Sequence, residues 1–137
     1  MIKIKNLTAK AFSKYGVVLE QKNKKKIFSV LTGDKQAKGW RIGYLIFHPA
    51  PVDSLEAHPE SMETFEPVTG TTVILVAPQN NPGAIEAFLL DKPVCVAKNV
   101  WHGVRVVSEK AEIKITENFD VASVIHKLKK PIDIAFV

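Results

Sequence analysis

The sequence contains a single cysteine, Cys95, so no disulfide can form within the chain. The fold must rest on buried apolar surface, which 137 residues can supply. Cys95 lies in Pro93-Val94-Cys95-Val96-Ala97, whose flanks read as strand, and a buried inert thiol is expected there. No apolar run approaches the roughly 20 residues that cross a bilayer as a helix. The opening Met1-Ile2-Lys3-Ile4-Lys5 alternates in polarity and lacks the apolar centre of a secretory signal, so a cytoplasmic location is the expectation. Internal repeats, low-complexity tracts and linker-like stretches are also missing, which predicts one domain over residues 1–137. Lys and Arg outnumber Asp and Glu by 19 to 14, for a net charge of +5. The densest basic run, Lys22-Asn23-Lys24-Lys25-Lys26, has no interleaved aromatics. It reads as a solvated turn, which argues against a nucleic-acid partner. A milder use of positive charge, drawing a small carboxylate towards a cleft, stays open.

What is present is a series of short β-branched runs. The clearest are residues 40–47, 71–77, 85–90, 93–97, 104–107 and 111–116, separated by turn signals such as Pro78-Gln79-Asn80-Asn81-Pro82-Gly83 and Asp91-Lys92-Pro93. Many short strands without intervening helices predict a barrel or sandwich and not a βαβ sheet. Two short helices are predicted at the flanks. The first covers residues 9–15, with Thr8 as N-cap and Gly16 as a left-handed C-cap. The second covers residues 121–129 behind Asp120. Its Val121, Val124, Ile125 and Leu128 fall on one helical face, Lys127, Lys129 and Lys130 crowd its end, and Pro131 stops it.

The stretch richest in chemistry is Leu55-Glu56-Ala57-His58-Pro59-Glu60-Ser61-Met62-Glu63-Thr64-Phe65-Glu66-Pro67. If residues 52–58 form a strand, Glu56 and His58 share a face. A turn over residues 59–62 then brings Glu63 back beside His58. Far downstream, Asn99-Val100-Trp101-His102-Gly103 offers a second histidine at a strand mouth. Two imidazoles and one or two carboxylates suit a divalent transition metal, or an acid and a base without one. Spacing alone is weak evidence, because histidines hydrogen-bonded at strand ends are the commoner outcome. Arg41, Lys98 and Arg105 are candidates for anchoring a substrate carboxylate, with Arg105 preferred for lying three residues past His102. Trp101 can line a pocket but is more often core. His126 reads as an exposed residue near a helix end, and His48-Pro49 as the end of a strand.

Several motifs then resemble one family. Leu7-Thr8, Ala11-Phe12 and Tyr15-Gly16, closing on Glu20, are similar to the opening of the ureidoglycolate lyases. Glu56, His58, Pro59, Phe65 and Pro67 match that family's next signature in order and spacing. Val73-Ile74-Leu75-Val76-Ala77, Ala87-Phe88 and Trp101-His102 match later ones, so the resemblance runs from Leu7 to about Val107. It implies a cupin-type jelly-roll barrel, usually a homodimer, that cleaves (S)-ureidoglycolate to glyoxylate and urea in the breakdown of allantoin. Departures are also visible. Glu63 replaces a customary Gln, Met62 a Ser, Ala57 an Arg, Gly103 a second His and Val104 a Pro, and the later strand end reads Lys114-Ile115-Thr116-Glu117.

In metal-binding cupins the first motif supplies His, His and Glu and the second supplies His. Here Glu56 stands at the first His place, while His58, Glu63 and His102 fit the other three. The expected roles follow. His102 is the base, Glu63 or His58 the acid that serves the leaving nitrogen, and Glu56 the group that orients His58. Arg105, Lys98 and Trp101 are the expected substrate-binding residues. His58, Glu63 and His102 are the expected ligands if a divalent transition metal is used. Two other readings stand beside this one: a metal-dependent cupin enzyme of the sugar isomerase type, and a barrel that binds small ligands without catalysis.

Overall fold

The computed structural model describes residues 1–135. Strands dominate, in the order β1 (Ile2–Lys5), β2 (Gly16–Val18), β3 (Arg41–Phe47), β4 (Val52–Ala57), β5 (Glu63–Thr69), β6 (Thr72–Ala77), β7 (Glu86–Leu89), β8 (Val94–Val96), β9 (Trp101–Val106), β10 (Ala111–Glu117), β11 (Val124–Ile132) and β12 (Ile134–Ala135). One helical turn, α1 (Ala9–Phe12), lies between β1 and β2. The strands form a five-stranded sheet, β2-β8-β5-β10-β3, and a seven-stranded sheet, β11-β4-β9-β6-β7-β1-β12. Together they make the cupin-type jelly roll.

The main core fills the space between the sheets. Phe12, Tyr15, Val18, Phe65, Ile74, Val76, Phe88, Val94 and Ile113 meet there, all 3% exposed or less. Phe12, Tyr15 and Phe88 pack edge to face, with ring centroids 5.4–6.2 Å apart. A second core gathers Leu55, Val73, Leu75, Ala77 and Ala87 on the other face of the seven-stranded sheet. It is covered because the sheet curls. The C-terminal stretch pairs with β4 through β11 and with β1 through β12, at opposite ends of the strand order. Both faces of β6 are therefore apolar, and every residue of this strand is buried.

Two helix expectations are corrected. Residues 124–132 form strand β11 and not a helix. Its antiparallel ladder with β4, from Val124 opposite Ala57 to Lys127 opposite Ser54, supplies backbone partners that a helix there would forgo. The helix-like spacing of Val124, Ile125 and Leu128 gives way to strand alternation, with His126, Leu128 and Ile132 half-buried. Pro131 is tolerated because β11 is an edge strand whose register shifts between Lys127 and Ile132. The first helix is a single turn. Thr8 does cap it, its Oγ1 accepting from the Ala11 N–H at 3.1 Å. Gly16 is not its C-cap but the first residue of β2, opposite Val96, and a Cβ there would sit 2.0 Å from the Cys95 carbonyl oxygen. Glycine is required by close approach. Among the described residues, no helix is long and apolar enough to cross a membrane.

Candidate functional site

Strand alternation places the candidate residues. On β10, Ala111, Ile113, Ile115 and Glu117 share the buried parity, so the last of them carries an acid to the sheet interior. On β3 the corresponding inward set is Arg41, Gly43, Leu45 and Phe47, paired with β10 residue by residue. Glu63 opens β5 directly opposite Glu117, and Glu56 of β4 lies opposite His102 of β9. These side chains line a cavity of about 410 Å³ between the sheets, with Leu45, Phe65, Val104, Ile115 and Ile125 as its apolar wall.

Glu63 is the centre of this arrangement. Its Oε1 lies 3.0 Å from Nε2 of His58 and 3.1 Å from Nε2 of His102. All three residues are buried, at 6%, 4% and 5% exposure. The far nitrogen of each imidazole is held by backbone: Nδ1 of His58 lies 3.2 Å from the Ala122 carbonyl, and Nδ1 of His102 lies 3.0 Å from that of Val100. A carbonyl only accepts, so each Nδ1 carries the proton and each Nε2 is turned towards the same carboxylate oxygen. The Ser123 hydroxyl also reaches His58 Nδ1, at 3.1 Å. The rings lie 5.0 Å apart, and Phe65 packs edge-on against His102.

Charge in the cavity is strongly coupled. Burial alone would drive the Glu63 carboxyl up. The hydrogen bonds with His102 and His58, and the charge these imidazoles bring when protonated, outweigh that, and Glu63 is held well below the ordinary carboxylate range. Burial lowers His58, but its hydrogen bond to Glu63 and the charges of Glu63 and Glu56 leave it raised. Glu117 is pushed up by burial and by the nearby Glu63 charge, against the pull of Arg41. Nε–H of Arg41 donates to Oε2 of Glu117 at 2.9 Å, and Nη2 forms an ion pair with the same oxygen at 2.9 Å.

Among the residues expected from the sequence, Glu56, His58, Glu63 and His102 come together. His58 is oriented by Ala122 and Ser123; Glu56 contributes charge. Lys98, Trp101 and Arg105 stand outside the cavity lining. The Lys98 ammonium lies 2.9 Å from Asp34. Trp101 directs its indole N–H to the Gln79 carbonyl, and its ring lies against half-buried His126. The Arg105 guanidinium donates to the Ala50 carbonyl at 2.8 Å. Their odd offsets from His102, one and three along the same strand, turn Trp101 and Arg105 to the opposite face. Arg41, ranked below Arg105 from sequence, lines the cavity, and Glu117 was not among the candidates. The alternating pattern of β10 carried the signal for Glu117. Cys95 is buried, and burial together with the charges of Glu63 and Glu66 raises its thiol to about 11, as suits an inert residue.

The donor set fits a divalent transition ion. Glu56, His58 and His102 offer ligand atoms within 4.8 Å of one another, as do His58, Glu63 and Glu117. Backbone carbonyls behind the imidazoles supply the outer hydrogen bonds that metal-binding histidines use.

Comparison with known proteins agrees with this architecture. Solved structures that it resembles include oxalate decarboxylase from Bacillus subtilis (TM-score 0.51, 16% identity), a protein with Mn(II) centres. The likeness covers 66% of this chain but only 24% of that longer one. A TDP-quinovose 3,4-ketoisomerase from Campylobacter jejuni is similar at TM-score 0.50 and 18% identity, over 67% of this chain and 68% of that one. At these identities the likeness concerns the fold. Ureidoglycolate lyases of Rhizobium leguminosarum bv. trifolii and Rhizobium etli are each 27% identical, over 72% of this chain and 72% of their own. The family model for ureidoglycolate lyase matches residues 35–127, which span β3 to β10, the first part of β11 and every side chain of the buried cluster. The chain belongs to the ureidoglycolate lyase family.

Proposed function

We propose that this chain is a carbon–nitrogen lyase that cleaves a small ureido 2-hydroxy acid, (S)-ureidoglycolate, to glyoxylate and urea. The observation that carries this reading is the buried Glu63 carboxylate held between Nε2 of His58 and Nε2 of His102 in one cavity. Cleavage requires the hydroxyl proton to leave while its oxygen becomes a carbonyl. The C–N bond then breaks with its electron pair on nitrogen, and that nitrogen takes a proton. His102, with Nδ1 committed to Val100, receives the hydroxyl proton at Nε2. His58, whose pKa is raised, holds a proton on Nε2 and delivers it to the departing nitrogen. Glu63 touches both Nε2 atoms and returns the proton from His102 to His58 between turnovers.

A second reading has specific support. Glu56, His58 and His102, or His58, Glu63 and Glu117, offer ligand atoms close enough to hold a divalent transition ion, and the expected set of His58, Glu63 and His102 draws on both groups. Such an ion, when bound, polarises a substrate oxygen. Metal dependence would suit the same lyase reaction or an isomerase on another small polar substrate.

Incubating the purified chain with (S)-ureidoglycolate and following glyoxylate and urea together tests the first reading. Full turnover by His102→Ala would remove His102 as the base. Elemental analysis of protein purified without chelator tests the second, for which a stoichiometric transition metal lost in His58→Ala is the expected result. Binding of small carboxylates with no turnover of a broad panel would instead mark a non-catalytic barrel. The family resemblance also supports a homodimer, as does the edge strand β3, which leaves Ile42, Tyr44 and Ile46 exposed. Light scattering at the mass of one 15.2 kDa chain would rule the dimer out.

A further inference from the structure

We propose that Arg41 anchors the substrate carboxylate and makes this site prefer anionic over neutral substrates, an assignment that rests on the lyase reading above. Arg41, Glu117 and Glu63 lie opposite one another on β3, β10 and β5, in a single row that ends at the two imidazoles. Among the described residues the cavity lining holds three acids, Glu56, Glu63 and Glu117, and a single lysine or arginine, Arg41. A carboxylate entering this cavity meets like charge on several sides, and a permanently charged cation is what offsets it.

The geometry of the guanidinium fits that task. Its Nε–H is spent on Oε2 of Glu117, and its Nη2 is held 2.9 Å from the same oxygen as an ion pair. The remaining donors have no partner among the described residues, and they form the fork that binds a carboxylate with two parallel hydrogen bonds. The Arg41 side chain lines the cavity and is 47% exposed while that of Glu117 is 6% exposed, so the guanidinium is open to an incoming solute and its support is buried. Glu117 is thus a positioning residue that fixes the guanidinium plane. Its ligand atom also lies within 4.8 Å of those of His58 and Glu63, so the Glu117 carboxylate links the anchor to the reacting groups. In a 2-hydroxy acid the carboxylate is bonded to the carbon that bears the hydroxyl. Seating it on Arg41 delivers that hydroxyl to the cluster.

The test compares wild type, Arg41→Gln and Arg41→Lys on (S)-ureidoglycolate and on its neutral methyl ester. Wild type is expected to prefer the acid, and Arg41→Gln to lose about 10- to 100-fold in kcat/KM on the acid, mainly through KM, while losing little on the ester. Arg41→Lys keeps the charge without the fork and falls between them. Arg105→Gln, outside the cavity, serves as the control and keeps the wild-type preference. A merely structural role for Arg41 would lower acid and ester alike, and an unchanged acid-to-ester ratio in Arg41→Gln overturns the assignment. Calorimetry with glyoxylate as probe separates this inference from the reaction. If wild type cleaves no ureidoglycolate, the lyase reading fails, yet glyoxylate binding lost in Arg41→Gln still supports the anchor. Equal binding by both proteins, or none by either, refutes it.

Discussion

Replacing Glu63 with glutamine perturbs the charge of the site with little change in shape. The carboxylate is 6% exposed, with Nε2 of His58 at 3.0 Å and of His102 at 3.1 Å from one oxygen. Each charge-assisted contact is worth about 1.5–3 kcal/mol. Taking the carboxylate out of water costs several kcal/mol in the opposite direction. The intact cluster therefore adds little net stability, but removing one charge strands its partner, and breaking a buried pair costs about 3–5 kcal/mol. An imidazolium left facing an amide avoids that cost by giving up its proton, so the loss depends on pH. The raised pKa of His58 contributes stability that is fully present below its ordinary value of 6.5 and is lost as pH rises through the folded value. The lowered pKa of Glu63 contributes stability present above its ordinary 4.5 and lost as pH falls through the folded value. The gap between wild type and Glu63→Gln is thus widest between those two ordinary values. Urea unfolding with chelator present, at about pH 5.5 and about pH 8.5, measures it. The expected loss is about 3–5 kcal/mol at the lower pH and smaller at the higher. Equal stabilities at the lower pH, or a gap that widens as pH rises, would refute the reasoning.

Three further outcomes are expected. Gly70 has φ +76° and a Cβ there would lie 2.2 Å from the Lys110 carbonyl oxygen, so Gly70→Ala should cost at least about 2 kcal/mol by thermal or urea unfolding. Glu86 accepts from Tyr15 and pairs with Lys5 and Lys14, and hydrogen bonds from Lys5 and Tyr15, outweighing burial, lower its pKa to about 2. Its contribution should fade as pH falls from 4.5 towards 2, and Glu86→Gln should flatten that part of the acid-unfolding curve. Mn(II) added to metal-free protein should bind with release of protons, and His102→Ala should weaken that binding by about 10-fold or more, read by calorimetry in two buffers of different ionisation enthalpy.

The barrel class was legible from local pattern, whereas the four-residue cluster needed the family resemblance beside its spacing. Runs such as Thr71 to Ala77 and Ala111 to Thr116 alternate or stay apolar at strand length, and strands β6 and β10 lie there within a residue at either end. Glu56 and His58, two apart, share a face because the strand period is two. The same period argued against Trp101 and Arg105 beside His102. Residues 121–129 satisfy a helical period on paper, and only pairing with β4 decides for a strand.

What the sequence by itself determined was the set of chemical groups and the strand-rich class, because both depend on residue type and on neighbours a few positions apart. Only the tertiary structure decided that Arg41 and not Arg105 enters the cavity, that Glu117 joins the acids, and that both imidazoles converge on one oxygen of Glu63. These are matters of register between strands distant along the chain. That register is set by packing the two cores and closing the curled sheet, which no local window contains.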